Sequence, residues 1–519
     1  MPLTEFTVKL GTGYMDASIS VQLTDRLDAL ASKIEDVGSR LDALIQNNEM
    51  NGEIQIEVVK LLQHMQNAQL DMDSKVDELS NAVTTTADGG LRSDLSKIGL
   101  AIVHDSRQKT IDIASLKQTA NMALREQTRG IFPIRTVFLI QSIPMWDALS
   151  DVYDAMVADD RFDPIIISIH VGILGRGVFE GEDKVSSAFS EKGIPHLRFN
   201  MDDSYAALDI LKALKPAVIF RQQQWDMGVQ PAFRTQELTF TRLCYVPYAL
   251  SLAASLGDPV VTDVSALGFD QPFHRAAWRI FCETPKIQEY FRSFEHSDPK
   301  KFITSGFPKF DSLLGEVKTP FWPISHQDRQ NFKVVWAPHY SLGKGGGLGF
   351  GVFDRIWEQM LSWARQSPDI DFVLKPHPAL FGSVLNPEAR TMFRNAWNNM
   401  PNCAFSEEQY GPLFAASDLM ISDGLSFLAE YPLFNKPLVF FDSQNHVEFN
   451  DLGKLAEAAS RRVTTFDQLK HAVLEYKNGK AWEFEDERKA LFDSIIPHRG
   501  QASAVILDTI AEGIRDGLN

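Results

Sequence analysis

Two hydrophobic periods divide the chain: a seven-residue repeat fills its first part, and from about residue 131 short apolar runs alternate with helical stretches. From Leu23 the apolar residues recur at Leu27, Leu30, Ile34, Val37, Leu41 and Leu44, in alternating steps of four and three, which is a coiled-coil heptad. The same register puts Asn48, Asn51 and Gln55 at core positions, followed by Val58, Leu62, Met65, Gln69, Met72, Val76, Leu79 and Val83. A single long helix with buried amides and a hairpin turning at Asn51-Gly52 both fit, and the unbroken register favours the long helix. At 1.5 Å per residue it would span roughly 90 Å. Residues 84–90 break the frame, Leu91, Leu95, Ile98 and Ile102 resume it shifted, and a further helix runs toward Arg129, closed by Gly130 and Pro133. Residues 1–130 therefore read as a helical coiled-coil stalk for self-association, with the number of copies left open.

Beyond it, residues 136–141, 164–171, 195–199 and 217–220 read as strands, with a helix at 204–214. A second series comprises 333–336, 371–374, 418–421 and 438–441. Alternation of this kind implies mostly parallel sheets. The expectation is an α/β protein with two facing Rossmann-like domains, 131–315 and 316–519, joined near residues 310–325 where Pro320 and Pro323 mark a linker.

Composition narrows the partners. A formal charge of −17 argues against nucleic acid, which needs a basic face, so an anionic ligand must meet a local positive site. The same charge disfavours broad adhesion to anionic lipid but leaves room for a small peripheral membrane contact. Three cysteines, Cys244, Cys282 and Cys403, lack metal-ligand spacing and lie in apolar contexts, as buried reduced thiols of a cytoplasmic protein would. No apolar run is long enough to span a bilayer.

Candidate chemistry gathers after the strands of the second series. His339 follows one strand directly, and Lys375 and His377 follow the next within Lys-Pro-His-Pro, where two prolines remove N–H donors and leave binding to side chains. The turn Ser422-Asp423-Gly424-Leu425-Ser426 opens a helix carrying Glu430, and a helix start at the carboxyl end of a parallel strand suits a phosphate. Ser426 can donate its hydroxyl there, whereas Asp423 would repel the anion and is better placed to cap the helix or orient His377. The run 343–351 holds six glycines without a Walker ending and reads as a mobile loop over the cleft, or as a plain connection. In the first domain Gln223, Tyr245 and Tyr248 are candidates on the acceptor side, with Trp225 and His274 as further ones.

These stretches, with Gly306-Phe307-Pro308-Lys309-Phe310-Asp311 before them, resemble the carboxyl-terminal half of the CDP-glycerol glycerophosphotransferase family, the teichoic-acid and capsule polymerase type with GT-B architecture. The resemblance is good over residues 300–450, fair over 131–300 and absent before. It implies that Lys375 and His377 contact a nucleotide diphosphate, that Glu430 holds a donor hydroxyl pair, and that His339, His377 and Asp423 form the catalytic set, with Lys375, Ser426, Glu430 and Gly424 binding the donor. Gly424 and Leu425 replace an aromatic and a second serine usual in the family, and no histidine stands in the loop 244–248 that would supply a base.

The activity expected is transfer of a glycerol-phosphate, polyol-phosphate or sugar from a nucleotide-activated, CDP-type donor to a glycan or lipid-linked glycan acceptor, with no metal and no cofactor beyond the donor. A nucleotide-sugar glycosyltransferase and a non-catalytic coiled-coil scaffold with a nucleotide-binding domain remain alternatives.

Overall fold

The computed structural model describes residues 108, 114–173, 178–253, 268–314, 320–326, 330–343, 348–406 and 410–517. The heptad seam and the break at 84–90 lie outside them. The chain is helical over 114–126 and turns at 127–130, where a helix stop was expected.

Residues Met122–Asn519 form one compact unit built on two parallel sheets. The first contains β1 (Ile134–Ile140), β2 (Phe162–Ile169), β5 (Leu197–Phe199), β6 (Val218–Arg221), β7 (Arg242–Tyr245), β8 (Arg279–Cys282) and β9 (Phe302–Thr304), in the order β5-β2-β1-β6-β7-β8-β9. A small antiparallel hairpin, β3 (Val171–Ile173) and β4 (Val178–Glu180), stands apart from it. The second contains β10 (Phe332–Ala337), β11 (Ile370–Leu374), β12 (Cys403–Phe405), β13 (Leu419–Ser422), β14 (Leu438–Phe441) and β15 (Arg461–Val463), ordered β12-β11-β10-β13-β14-β15. The central strands are near-continuous apolar runs because helices cover both faces of a parallel sheet. Asp371 is an exception in β11: fully buried, it accepts from Trp322 Nε1 (3.1 Å), His326 Nε2 (2.7 Å) and Asn331 Nδ2 (2.8 Å). All three cysteines are free and buried.

The expected boundary at 316 separates the sheets but not the cores. The last helix, Ala502–Arg515, buries Ile506, Leu507, Ile510 and Ile514 against Phe138, Trp146, Leu149 and Val152 of the first domain. Its start is held by Asp311, whose carboxylate accepts from the N–H of Ala502 (3.0 Å) and Ser503 (2.7 Å). The anion satisfies two N–H groups that a helix start leaves orphaned, and it faces the positive end of the dipole. Asp311 lies on the crossover helix Lys309–Leu314, so one carboxylate ties the outgoing and returning chains together.

A second tie is the segment 250–253 after β7. Leu250 and Leu252 enter the second domain's core. Asn450 donates Nδ2 to Ser251 O (2.7 Å) and its N–H to Leu252 O (3.0 Å), and Ala253 bridges Phe449. Gly453 has no Cβ because one would stand 2.2 Å from Leu252 O. Beneath this strap, directly after β8, lies Glu283, 1% exposed. Its Oε1 accepts from Ser251 N (3.3 Å), while Oε2 has no hydrogen-bond partner among the described residues. Burial pushes its pKa up to about 7.

Two outcomes follow. Asp311→Ala should lower stability by about 1–2 kcal/mol and let the amides of 502–515 exchange before the rest of the first domain; unchanged protection there would contradict the tie. A carboxyl whose folded pKa is raised destabilises the fold progressively as pH climbs from its unfolded value to its folded one. Glu283→Gln should therefore match the parent near pH 4.5 and gain on it up to pH 7, by on the order of 3 kcal/mol, read as a difference in urea midpoint. A constant difference across that range would remove the buried charge as its cause.

Candidate functional site

Strand register builds the site. β10 pairs β11 with Trp336 opposite Leu374, and β10 pairs β13 with Ala337 opposite Ser422. The first ladder runs on past the strands, Lys375 N–H donating to Trp336 O (2.8 Å) and His377 N–H to Pro338 O (2.9 Å). Continued by three residues, the registers set His377, His339 and Gly424 in one row at the carboxyl edge of the sheet. The two imidazoles accordingly lie 5.3 Å apart between ring centres, and Tyr340 stands 4.5 Å from each.

Both rings use Nδ1 on their own loop. His339 Nδ1 meets Ser341 Oγ (2.8 Å) and accepts from Ser341 N (3.3 Å); His377 Nδ1 accepts from Ala379 N (3.2 Å). The proton of each neutral ring is thereby assigned to Nε2, which takes no protein partner among the described residues. His339 is almost wholly buried, and His377 lies exposed at the cleft. Burial, with the neighbouring His377, lowers the pKa of His339 to about 3, and the low-dielectric walls lower that of His377 to about 4. At pH 7 both rings are therefore neutral hydrogen-bond donors.

Asp423 neither caps a helix nor touches His377. Its Oδ1 accepts from His339 N (2.6 Å) and Oδ2 from Val352 N (2.7 Å), so it staples the His339 loop to the start of the helix Phe353–Gln366. Only 2% exposed, its carboxyl is pushed up to about 7 by burial, against the pull of those two N–H groups. Gly424 is a packing position: a Cβ would lie 3.0 Å from His339 Cδ2.

The helix expected to serve as an anion end is short. It spans Ser426–Glu430, passes into a 3-10 turn at Tyr431–Phe434, and has Leu425 at its cap with no side-chain bond, so its dipole is small. Ser426 is half-buried, and its hydroxyl takes no protein partner among the described residues. Glu430 is turned inward: 1% exposed, it pairs with Lys309 (3.4 Å), whose ammonium also lies 4.4 Å from the Tyr410 ring centre. Through Lys309 it anchors the crossover helix. Lys375 is half-buried beside that row.

The first domain's candidates separate. Tyr248 is 36% exposed and its ring centre stands 6.4 Å from that of Trp225; its pKa is raised by burial and then by Tyr340 of the second domain. Tyr245 is core: its hydroxyl donates to Gln224 Oε1 (2.9 Å) and its ring meets His274 at 4.7 Å. His274 is itself buried, its pKa lowered to about 3. Gln223 folds back on its own loop, Nε2 donating to Gly228 O (3.2 Å), and its carbonyl accepts from buried Arg221 (2.9 Å). Residues 344–347 of the glycine-rich run lie outside the described residues, but its end is pinned: Val447 N–H donates to Leu348 O, Ser443 Oγ to Gly349 O, and Phe350 stacks on His446 at 4.4 Å. Among the described residues no three His, Cys, Asp or Glu side chains are grouped to hold a metal, and no helix is long and apolar enough to cross a membrane. Ser341 and Glu283 were not singled out from sequence; a serine two residues past His339 was the one signal for the former.

No protein-family model and no curated protein sequence matches the chain. Solved structures do. A single-site variant of the wall teichoic acid polymerase TagF superposes with a TM-score of 0.50 at 15% identity, covering 78% of this chain and 98% of that one. A UDP-N-acetylglucosamine 2-epimerase gives 0.49 at 13% identity over 75% and 98%, and the UDP-GlcNAc 2-epimerase from Neisseria meningitidis gives 0.47 at 14% over 73% and 100%. At these identities the likeness is one of fold, and the fold that the polymerase variant shares with this chain is the two-sheet GT-B arrangement expected from the sequence motifs.

Proposed function

We propose that the chain is a transferase that moves a glycerol-phosphate, another polyol-phosphate or a sugar from a nucleotide-linked donor, CDP-linked first among candidates, to a surface-glycan acceptor. The observation that carries this reading is the pair of neutral imidazoles, His339 and His377, set side by side by strand register with both Nε2 positions unclaimed. Two N–H donors a few ångströms apart suit the oxygens of a diphosphate, and donors fixed before the reaction stabilise charge that develops on a leaving phosphate. Lys375 supplies positive charge beside them, and Ser426 a further hydroxyl. Tyr248 faces this group from the first domain and would border the acceptor.

In the transfer, an acceptor hydroxyl forms a bond to the donor's phosphorus or anomeric carbon and releases its proton to solvent water. The bond to the nucleotide breaks, and the electron pair leaves on the nucleotide phosphate, where His339 and His377 hold it. No metal and no cofactor beyond the donor is required of the residues named. The protein would act in the cytoplasm, peripherally at the inner membrane face, with residues 1–130 joining copies.

His377→Ala should reduce turnover by about 100-fold or more while leaving the folding transition in place, measured with CDP-glycerol against CDP-, UDP- and GDP-sugars; unchanged turnover on the substrate that works would remove the site. Deleting residues 1–130 should turn an oligomer into monomers by light scattering and shorten product chains more than it slows a single transfer. Full-length product from a monomer would remove the stalk from the mechanism.

A further inference from the structure

Ser341 lies between the Nδ1 edge of His339 and the end of the glycine-rich run, and every polar atom it has is engaged. Its Oγ accepts from Phe350 N (3.1 Å) and stands 2.8 Å from His339 Nδ1; its own N–H points at the same Nδ1 (3.3 Å), and its carbonyl accepts from Gly351 N (2.9 Å). It is 1% exposed, so water does not compete for these bonds.

The proton count leaves one arrangement. The Phe350 N–H can only donate and takes one lone pair of the Ser341 hydroxyl, which keeps a proton and a second lone pair and could meet Nδ1 with either. The Ser341 N–H, which can only donate, decides between them, and the hydroxyl proton then completes the pair of bonds to Nδ1. Nδ1 must be the unprotonated nitrogen, and the ring proton must sit on Nε2. Gly424 leaves room for the ring, since a Cβ there would begin 3.0 Å from His339 Cδ2, and Asp423 holds the His339 backbone N–H.

We propose that Ser341 is a positioning residue that locks His339 as the Nε2–H tautomer, and that the lock is set by the seating of Phe350 and Gly351 at the end of the glycine-rich run. This rests on the transferase reading only for its ligand class, the phosphate oxygens of a nucleotide-linked donor, which accept hydrogen bonds and need an N–H rather than a bare lone pair. Seating is itself well supported. Phe350 is fully buried and stacked on His446, and Gly351 is a glycine because a Cβ would lie 2.6 Å from His339 O. A neutral imidazole with a fixed proton donates without carrying a charge that would have to be desolvated when no ligand is present.

The test reads the tautomer directly. In full-length protein with 15N-labelled histidine rings, the His339 signals, assigned by their absence in His339→Gln, should show an N–H-type Nε2 and an acceptor-type Nδ1 near pH 7. Ser341→Ala should mix the two tautomers, and Ser341→Thr should restore the parent pattern. The Ala variant should lower kcat by about 10–100-fold with KM nearly unchanged. If Ser341→Ala fails to fold, Ser341→Cys, of similar volume and a weak donor, should show the same mixing. A protonated Nδ1 in the parent, or a tautomer indifferent to Ser341, would overturn the inference. A tautomer that shifts as expected in a protein that binds and turns over no nucleotide-linked donor would support the lock and overturn the transferase reading, so the two fail separately.

Discussion

One buried carboxylate organises the second domain's cleft. Asp423 accepts from the N–H of His339 and of Val352, drawing together the ends of two segments that leave the sheet separately. Without it, two backbone donors would be buried unpaired, at a penalty of about 1–3 kcal/mol each. The position of the His339 ring, the start of the helix Phe353–Gln366 and the return of the glycine-rich run all follow from that pair of bonds. Burial raises the proton affinity of the carboxyl, to a pKa of about 7, while the two N–H groups pull it down.

The row beside it answers how a protein with a formal charge of −17 makes room for an anion. Charge is the smaller part of the answer. Beside Lys375 and the engaged carboxyl of Asp423, the groups nearest the row are neutral: two imidazoles with pKa values lowered to about 3 and about 4, a tyrosine, and a serine. Dipoles of this kind lose little on desolvation when the cleft is empty, and they strengthen when a ligand excludes water. The charge of Glu430 is matched by Lys309.

The sequence made the fold legible where apolar runs were unbroken. The expected strand at 438–441 matches β14, and β1, β10 and β11 differ by no more than two residues at either end. The strands β7, β8, β9, β12 and β15 were missed: Arg242, Arg279 and Arg461 open three of them with a charge, and Phe302–Thr304 and Cys403–Phe405 carry too little period to separate strand from buried loop. At the candidate site, the grouping of His339, His377 and Lys375 was legible because all three stand within three residues of a strand's carboxyl end. The roles of Asp423 and Gly424 were not, since they depend on a pairing between residues 85 apart, visible only in the register of β10 and β13. Glu430 misled for a related reason: helical spacing put it a turn after Ser426, but nothing local said that Lys309 would reach it. Tyr245 and Tyr248 look alike in sequence, yet three residues along a strand end turn one into the core and the other toward the cleft.

Chain order also concealed how the two sheets are joined. Three segments cross between them: the crossover helix with Asp311 and Lys309, the strap at 250–253, and the helix Ala502–Arg515. A cleft hinged on a single linker could open by rotation about a few dihedrals. Here rotation would also have to withdraw Leu250 and Leu252 from the second core, at about 1.5–3 kcal/mol each, and break the backbone bonds to Asn450. Among the described residues the domains are thus held by packing in all three segments. Small rearrangements therefore fall to side chains and loop ends, and two of these, Tyr340 beside both histidines and Phe350 at the end of the glycine-rich run beside His339, adjoin the pair.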